Sequence, residues 1–260
     1  MQRRGFVKSS LLAATAISTN IVKGSLEEGA EDKKAVYEWR EYESHFGTNE
    51  NELHGYFQNA LIPALNRLGA KNIGVFKETS KSEPAKIYLL IPYPSGQDYW
   101  TINAQLKTDS EFRKAAASYD QLPAEKFPYA RYNTKLMIAF DKQPQIILPP
   151  KTPRIFELRT YEGYNEDALR RKLKMFNEEE FAIFDRTKLN RVFFGEVIAG
   201  KDMPCLTYMI HFSNMEERDK NWAAFGADAD WQRVSKAPEY ANSVSRITKI
   251  FLEPESYSQL

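Results

Sequence analysis

A chain of 260 residues that is 42% hydrophobic and 27% charged has the composition of an ordinary globular protein and argues against disorder. Its formal net charge is +1, and Arg3, Arg4, Lys8 and Lys23 sit in a first stretch of 24 residues without an acid. The remainder therefore carries 1 − 4 = −3, which excludes the clustered basic face that nucleic acid requires.

Residues 1–24 read as an export signal. Gln2-Arg3-Arg4-Gly5-Phe6-Val7-Lys8 resembles a bacterial twin-arginine signal, and the apolar run Leu11 to Ile17 follows it. That run is far below the roughly 20 residues that span a bilayer, so no permanent membrane anchor is expected. Cleavage is expected after Ala16, or at a later residue up to about Gly24, and a periplasmic or secreted location follows. Residues 25–34, charged and poor in apolar side chains, read as a linker.

A first unit is expected over residues 35–142. From Val36 to Tyr42 the side chains alternate, with Glu38, Arg40 and Tyr42 on one face of a strand and Tyr37, Trp39 and Glu41 on the other. Gly47-Thr48-Asn49 predicts a turn. Leu53, Phe57, Leu61, Ala64, Leu65 and Leu68 then recur at helical spacing, and Pro63 predicts a kink in that helix. Gly69 closes it, and Ile73 to Glu78 and Ile87 to Pro92 read as a hairpin. A second helix is expected over about Gln97 to Tyr119, broken near Lys107-Thr108-Asp109, and Thr134 to Phe140 supplies the last strand. Residues 143–153 hold four prolines in eleven positions and read as a stiff connector.

The second unit, residues 154–254, repeats the first. Val36-Tyr-Glu-Trp-Arg-Glu-Tyr-Glu43 returns as Ile155-Phe-Glu-Leu-Arg-Thr-Tyr-Glu162, at an offset of 157 − 38 = 119. The same offset pairs Phe57 with Phe176, Leu65 with Phe184, Ile91 with Ile210, Asp109 with Asp228 and Phe112 with Trp231. The predicted fold class is α+β: two tandem ferredoxin-like (βαββαβ) units whose halves pair to form an intramolecular dimeric-α/β-barrel.

At Phe156-Glu157-Leu158-Arg159-Thr160-Tyr161, Leu206-Thr207-Tyr208-Met209-Ile210, and Trp222-Ala223-Ala224-Phe225 leading to Asp230-Trp231, the second unit resembles the NIPSNAP family. The resemblance covers nearly all of residues 154–253 and implies a dimeric α/β barrel. It implies no particular reaction, because family members have no agreed one and the barrel hosts many activities. The first unit resembles a diverged relative that keeps Glu38, Arg40 and Tyr42 but has Leu106 and Phe112 in place of Phe225 and Trp231.

If Tyr37, Trp39, Phe156 and Leu158 meet the helices, then Glu38, Arg40 and Tyr42, with Glu157, Arg159 and Tyr161, point into the space between the sheets. Buried charges persist only when paired. They are expected either as ion pairs that fix how the halves dock, or as a pocket. In the pocket, Arg40 or Arg159 would hold a carboxylate or phosphate, Tyr42 or Tyr161 would donate a hydrogen bond, and Glu157 would act as base. His211 is the second acid/base candidate, since its repeat mate is Pro92. Trp222, with Tyr99-Trp100 and Trp231, is a candidate ligand wall, although aromatics at helical spacing also fill cores. Cys205, the only cysteine, reads as buried filler.

His45 and His54 have no neighbours at metal-ligand spacing, and no GxGxxG, P-loop or Gly-x-Ser-x-Gly motif occurs, so neither a metal nor a cofactor is expected. The expected function is an exported protein that binds a small organic ligand, any transformation of which would need no cofactor. A non-catalytic interaction or scaffold protein is the alternative, and a haem or metal enzyme the third; further oligomerisation is compatible with each. A pocket lined by convergent polar groups would favour the first, and a filled interior with exposed apolar surface the second.

Overall fold

The computed structural model describes residues 33–45, 49–80, 83–152 and 154–260. The expected export signal, most of the linker and the Gly47-Thr48 part of the first turn lie outside the described residues.

The first half runs β1 (Val36–Ser44), α1 (Asn51–Tyr56), a π-helical turn (Phe57–Leu61), α2 (Ile62–Leu68), β2 (Gly74–Glu78), β3 (Lys86–Tyr93), α3 (Gly96–Thr108), α4 (Ser110–Asp120) and β4 (Tyr129–Ala139). The second half follows with β5 (Ile155–Glu162), α5 (Glu166–Met175), a π-helical turn (Phe176–Glu180), α6 (Phe181–Arg186), β6 (Asn190–Ala199), β7 (Cys205–Phe212), α7 (Met215–Ala227), α8 (Ala229–Val234) and β8 (Arg246–Pro254). The strands close into one barrel in the order β1-β3-β2-β8-β5-β7-β6-β4, every neighbouring pair antiparallel. Each half is thus a ferredoxin-like sheet, and each contributes two edge strands that the other half pairs. Closure removes the free edges on which isolated sheets aggregate.

The repetition is kept in the hydrogen-bond register. Val36 faces Tyr93 as Ile155 faces Phe212, both at the 119-residue offset. In the last strand the spacing shortens, since Ile138 and Glu253 occupy equivalent places against Glu196 and Lys77 and lie 253 − 138 = 115 residues apart. Both long helices break at an aspartate. Asp109 accepts the amide of Phe112 to start α4, Asp228 accepts those of Asp230 and Trp231 to start α8, and each is gripped by an arginine from the other helical segment of its half, Arg67 of α2 or Arg186 of α6.

Two expectations are corrected. Pro63 is not what distorts the first helix: the π turn recurs at the same register in the second half, where Ala182 stands at the proline's place. A shared insertion in the helix, not the ring of one residue, makes the distortion. The strand faces are also inverted. Tyr37, Trp39, Phe156 and Leu158 belong to the interior cluster of the barrel with Phe76, Phe193 and Met209, whereas Tyr42 packs with the helices of the first half and Tyr161 with those of the second. Glu38, Arg40, Glu157 and Arg159 therefore lie between sheet and helices. A closed barrel interior offers charges little contact with water and fills with aromatic rings, while helices that cover only part of the outer face leave arginines an exit.

The interior is filled towards the starts of β1 and β5. Tyr37 and Phe193 rings lie 5.0 Å apart there, and the connector brings Ile146 against the same cluster, tied by Ala35 N–H to Pro144 O at 2.8 Å. The last residues, Glu255 to Leu260, leave the second half and bond along β2 of the first, ending with Leu260 in the barrel core. Among the described residues no helix is long and apolar enough to cross a membrane.

Candidate functional site

At the other end, where β1 and β5 finish, the barrel is open. A cavity of about 330 Å³ lies in this mouth. The first half sends Trp39, Glu41, Glu78, Lys86, Tyr88 and Lys135 to it; the second half adds Leu158, Thr160 and Ile250, and the β6–β7 loop adds Lys201 and Asp202. The strand alternation that makes the deep interior apolar also delivers these groups, because the positions two residues further along β1, β3 and β4 carry charge.

The mouth is asymmetric although its frame is not. Register places Glu41 with Thr160, Glu78 with Val197, Lys86 with Cys205 and Lys135 with Ile250, so each of these first-half charges has an uncharged counterpart in the second half. Trp39 stacks on Tyr88 and Phe76 at ring distances of 5.4 and 6.0 Å, giving the charged wall an aromatic base. Lys86 Nζ is 2.8 Å from Glu41, and this hydrogen bond raises the lysine's pKa despite partial burial. The Tyr88 hydroxyl donates a short hydrogen bond to Glu78, and burial together with that carboxylate pushes the phenol far above its ordinary range. Lys135 Nζ meets Thr160 Oγ1 at 3.4 Å, and Thr160 shares a hydrogen bond of 2.9 Å with Thr207. Such a set can hold an anionic or hydroxylated group against an apolar body, and Tyr88 with Glu78 forms a pair through which a proton can pass.

The residues singled out from sequence alone lie elsewhere, in two networks under the helices. In the first half, Glu38 receives Arg40 Nε at 2.6 Å and Nη2 at 3.1 Å, the Tyr93 hydroxyl at 3.0 Å and Thr134 at 3.4 Å. Tyr42 stacks on Tyr132 and meets Phe57 and Tyr129 edge-on. Its pKa is pushed up to about 12 by burial, which the Arg40 charge opposes. In the second half Glu157, with no exposed surface, receives Arg159 Nη1 at 2.5 Å, Arg218 Nε at 2.9 Å and Nη2 at 3.1 Å, and Trp222 Nε1 at 3.0 Å. Burial would raise its pKa, but the Arg218 hydrogen bonds and the Arg159 charge hold it below the ordinary value. Arg159 lies 4.5 Å over the Trp222 ring and 5.4 Å from that of Tyr161, whose hydroxyl meets Tyr208 at 3.0 Å. Each Glu-x-Arg pair lies within its own strand; Tyr93 and Thr134 tie Glu38 to neighbouring strands, Arg218 and Trp222 tie Glu157 to α7, and neither network bridges the two halves.

The two acid/base candidates are not brought together. Glu157 faces the helices, whereas His211 pairs in register with Phe156 and shares the barrel-side face of β7 with Met209. His211 sits near the filled end, beside Arg154 and Glu217, and its pKa is lowered by burial first and by Arg154 second. Cys205 is buried in the barrel core, its thiol pushed up to about 11 by burial. Lys135, Tyr88 and Glu78 escaped sequence reading because the repeat comparison searched for what the two units share, and these positions are where they differ.

Residues 156–259 match the NIPSNAP family model. The match covers the second half and its C-terminal tail. Comparison with curated proteins gave no match. Among solved structures, a monooxygenase-like protein from Fusobacterium nucleatum superimposes with a TM-score of 0.54 at 8% identity, covering 85% of this chain and 93% of that one. A monooxygenase-like protein from Lactobacillus acidophilus gives 0.53 at 10% identity, with 85% and 94% covered. An uncharacterized NIPSNAP-like domain protein from Burkholderia xenovorans gives 0.37 at 21% identity, covering 41% of this chain and 89% of its own. The first two likenesses show the fold, a barrel of the dimeric α/β type in a single chain.

Proposed function

We propose that the protein binds a small organic ligand in the open mouth of its barrel. The observation that carries this is the asymmetric mouth: a repeated frame in which the strands of one half place Glu41, Glu78, Lys86 and Lys135 around a cavity of about 330 Å³, while the register counterparts in the other half, Thr160, Val197, Cys205 and Ile250, are uncharged. The volume falls in the range of about 300–1,000 Å³ typical of small-molecule sites. In this proposal Glu38, Arg40, Tyr42, Glu157, Arg159, Tyr161 and Trp222 hold helices onto sheets, since every carboxylate among them is already saturated with donors. Any transformation of the ligand would run without a cofactor through Glu78 and Tyr88, a carboxylate in the cavity wall and the phenol that donates a hydrogen bond to it. The first half is proposed as a diverged copy of the NIPSNAP-like second half, on the strength of the common register.

The test is native mass spectrometry of the protein recovered from its own host. A reproducible extra mass that leaves on gentle denaturation, and that Thr160→Val and Lys135→Met diminish, is the expected result. A bare chain mass under conditions that retain a weakly bound control ligand would count against the proposal. Export through residues 1–24 is proposed alongside, supported by Arg3-Arg4 ahead of the Leu11–Ile17 run. Arg3→Lys with Arg4→Lys should leave the protein in the cytoplasm at its full length; unchanged export would refute it.

A further inference from the structure

Charge pairing in the mouth narrows the kind of ligand it would select. Three of the four charged side chains from the first half already have partners: Lys86 pairs with Glu41, and Glu78 accepts from Tyr88. Lys135 differs. Its ammonium meets the Thr160 hydroxyl at 3.4 Å, and among the described residues no carboxylate stands within ion-pair distance. Its stem is packed against Gly200, which holds φ at +153° and where an added Cβ would come within 3.0 Å of the lysine Cγ and 3.3 Å of its Cα. Only glycine suits that backbone and that approach, so the chain after β6 lies directly on the lysine. Lys201, one residue on, and Lys249 of β8 add further cations to the lining, again without a carboxylate partner among the described residues, while Asp202 beside them pairs with Arg246. Beside Lys135, its register partner Trp39 offers a stacked ring, and Leu158 and Ile250 of the other half offer apolar surface.

An ammonium drawn partly out of water without a counter-charge is unfavourable, and an incoming anion relieves that while forming a charge-assisted hydrogen bond. We propose that the barrel mouth selects a small organic anion with a flat apolar body. Its single anionic group sits at Lys135 Nζ and the Thr160–Thr207 hydroxyl pair, and its body lies against Trp39, Leu158 and Ile250. The proposal rests on the mouth being the binding site.

Calorimetric titration of the full chain with 1-naphthoate, 1-naphthalenemethanol and 1-naphthylmethylamine tests it, because the three share a ring system and differ in charge. The carboxylate should bind at least tenfold more tightly than the alcohol, and the amine more weakly than either. Lys135→Met should bring carboxylate and alcohol within about twofold of each other, Lys135→Arg should keep most of the preference, and Thr160→Val should weaken the carboxylate about threefold. Circular dichroism of each variant separates misfolding from lost binding, and Lys135→Arg provides a charge-retaining control. Alcohol or amine binding as tight as the carboxylate, or a preference that survives Lys135→Met, would overturn the anion selection while leaving the mouth as a site. Binding of none of the three to the folded wild-type protein would overturn both.

Discussion

The two halves of the barrel share strand order, register and helix distortion, yet they put their buried charges in different places. In the second half Lys172 and Glu180 form an ion pair under the helices, with the ammonium 4.5 Å from the Phe176 ring centre. At the same register the first half has Leu53 and Leu61, both in its helix-side core. At the strand positions of the barrel mouth the distribution is reversed, with Glu41, Glu78, Lys86 and Lys135 in the first half where the second has Thr160, Val197, Cys205 and Ile250. What both halves retain is the Glu-x-Arg pair on the opening strand and the arginine grip on the aspartate that caps the last helix. These shared features are what the frame requires; the differences mark what each half is free to vary.

The strongest test compares the two shared glutamates. Glu157 neutralises two guanidinium groups, those of Arg159 and Arg218, whereas Glu38 neutralises only Arg40. Glu157→Gln leaves Arg159 without a carboxylate and Arg218 with only the exposed Asp219 at 2.8 Å, and should lower unfolding free energy by about 3–5 kcal/mol. Glu38→Gln, which strands one cation, should lower it by about 1–3 kcal/mol. Urea denaturation measures both, and equal losses would remove the distinction between the networks.

The Lys172–Glu180 pair has its control in the first half. Lys172→Leu alone strands a buried carboxylate and should destabilise by about 3 kcal/mol. The double replacement Lys172→Leu with Glu180→Leu copies Leu53 and Leu61, and should recover stability to within about 1 kcal/mol of wild type or exceed it, since apolar replacement of buried pairs is often neutral or favourable. Glu180 is driven towards its protonated form by burial, with Lys172 opposing, which is why removing the lysine alone is harmful. A double variant as unstable as the single one would mean that the second half depends on the pair in a way its sister does not.

A smaller effect is expected at Tyr37. Its hydroxyl is buried in the barrel without a hydrogen-bond partner, and the second half has Phe156 at the equivalent position. Tyr37→Phe should therefore stabilise by about 1 kcal/mol, the order of a desolvated hydroxyl left unpaired. Any loss of stability would indicate that the hydroxyl has a partner in solution.

Most of the fold was legible because the repeat is written in apolar spacing: Leu53, Phe57, Leu61 and Leu65 mark a helix wherever they occur, and the two opening strands name each other. The helix break at Asp109 and Asp228 was equally readable, since a capping aspartate followed by an apolar run is a local signal. The sidedness of the strands was not. Alternation at Tyr37-Glu38-Trp39-Arg40 separates two faces but does not say which one a barrel encloses, and the choice depends on closure by partners more than 100 residues away, such as Lys77 with Glu253. The mouth was hidden for a related reason: Lys135, Glu78 and Tyr88 stand on three strands with no shared motif, and only their register brings them to one end.

His211 provides the finest test, because its sister position is Pro92 and no structural demand of the repeat accounts for it. Burial, and secondarily Arg154, lower its pKa from 6.5, with Glu217 acting in the opposite sense. A base whose folded pKa lies below its unfolded one binds fewer protons when folded, so its contribution to stability is present above the unfolded value and is lost as pH falls through the folded one. The melting temperature should therefore decline as pH is lowered from about 7 through the histidine range, ahead of the carboxylates that titrate near pH 4. His211→Gln should flatten that segment while leaving the acid limb unchanged. Because the ring is only half-buried, the effect is the smallest of the four, and the difference between the two pH profiles is the quantity to read. A profile that His211→Gln leaves unaltered would place the ring in water in solution, and with it the whole edge of β7 beside Arg154.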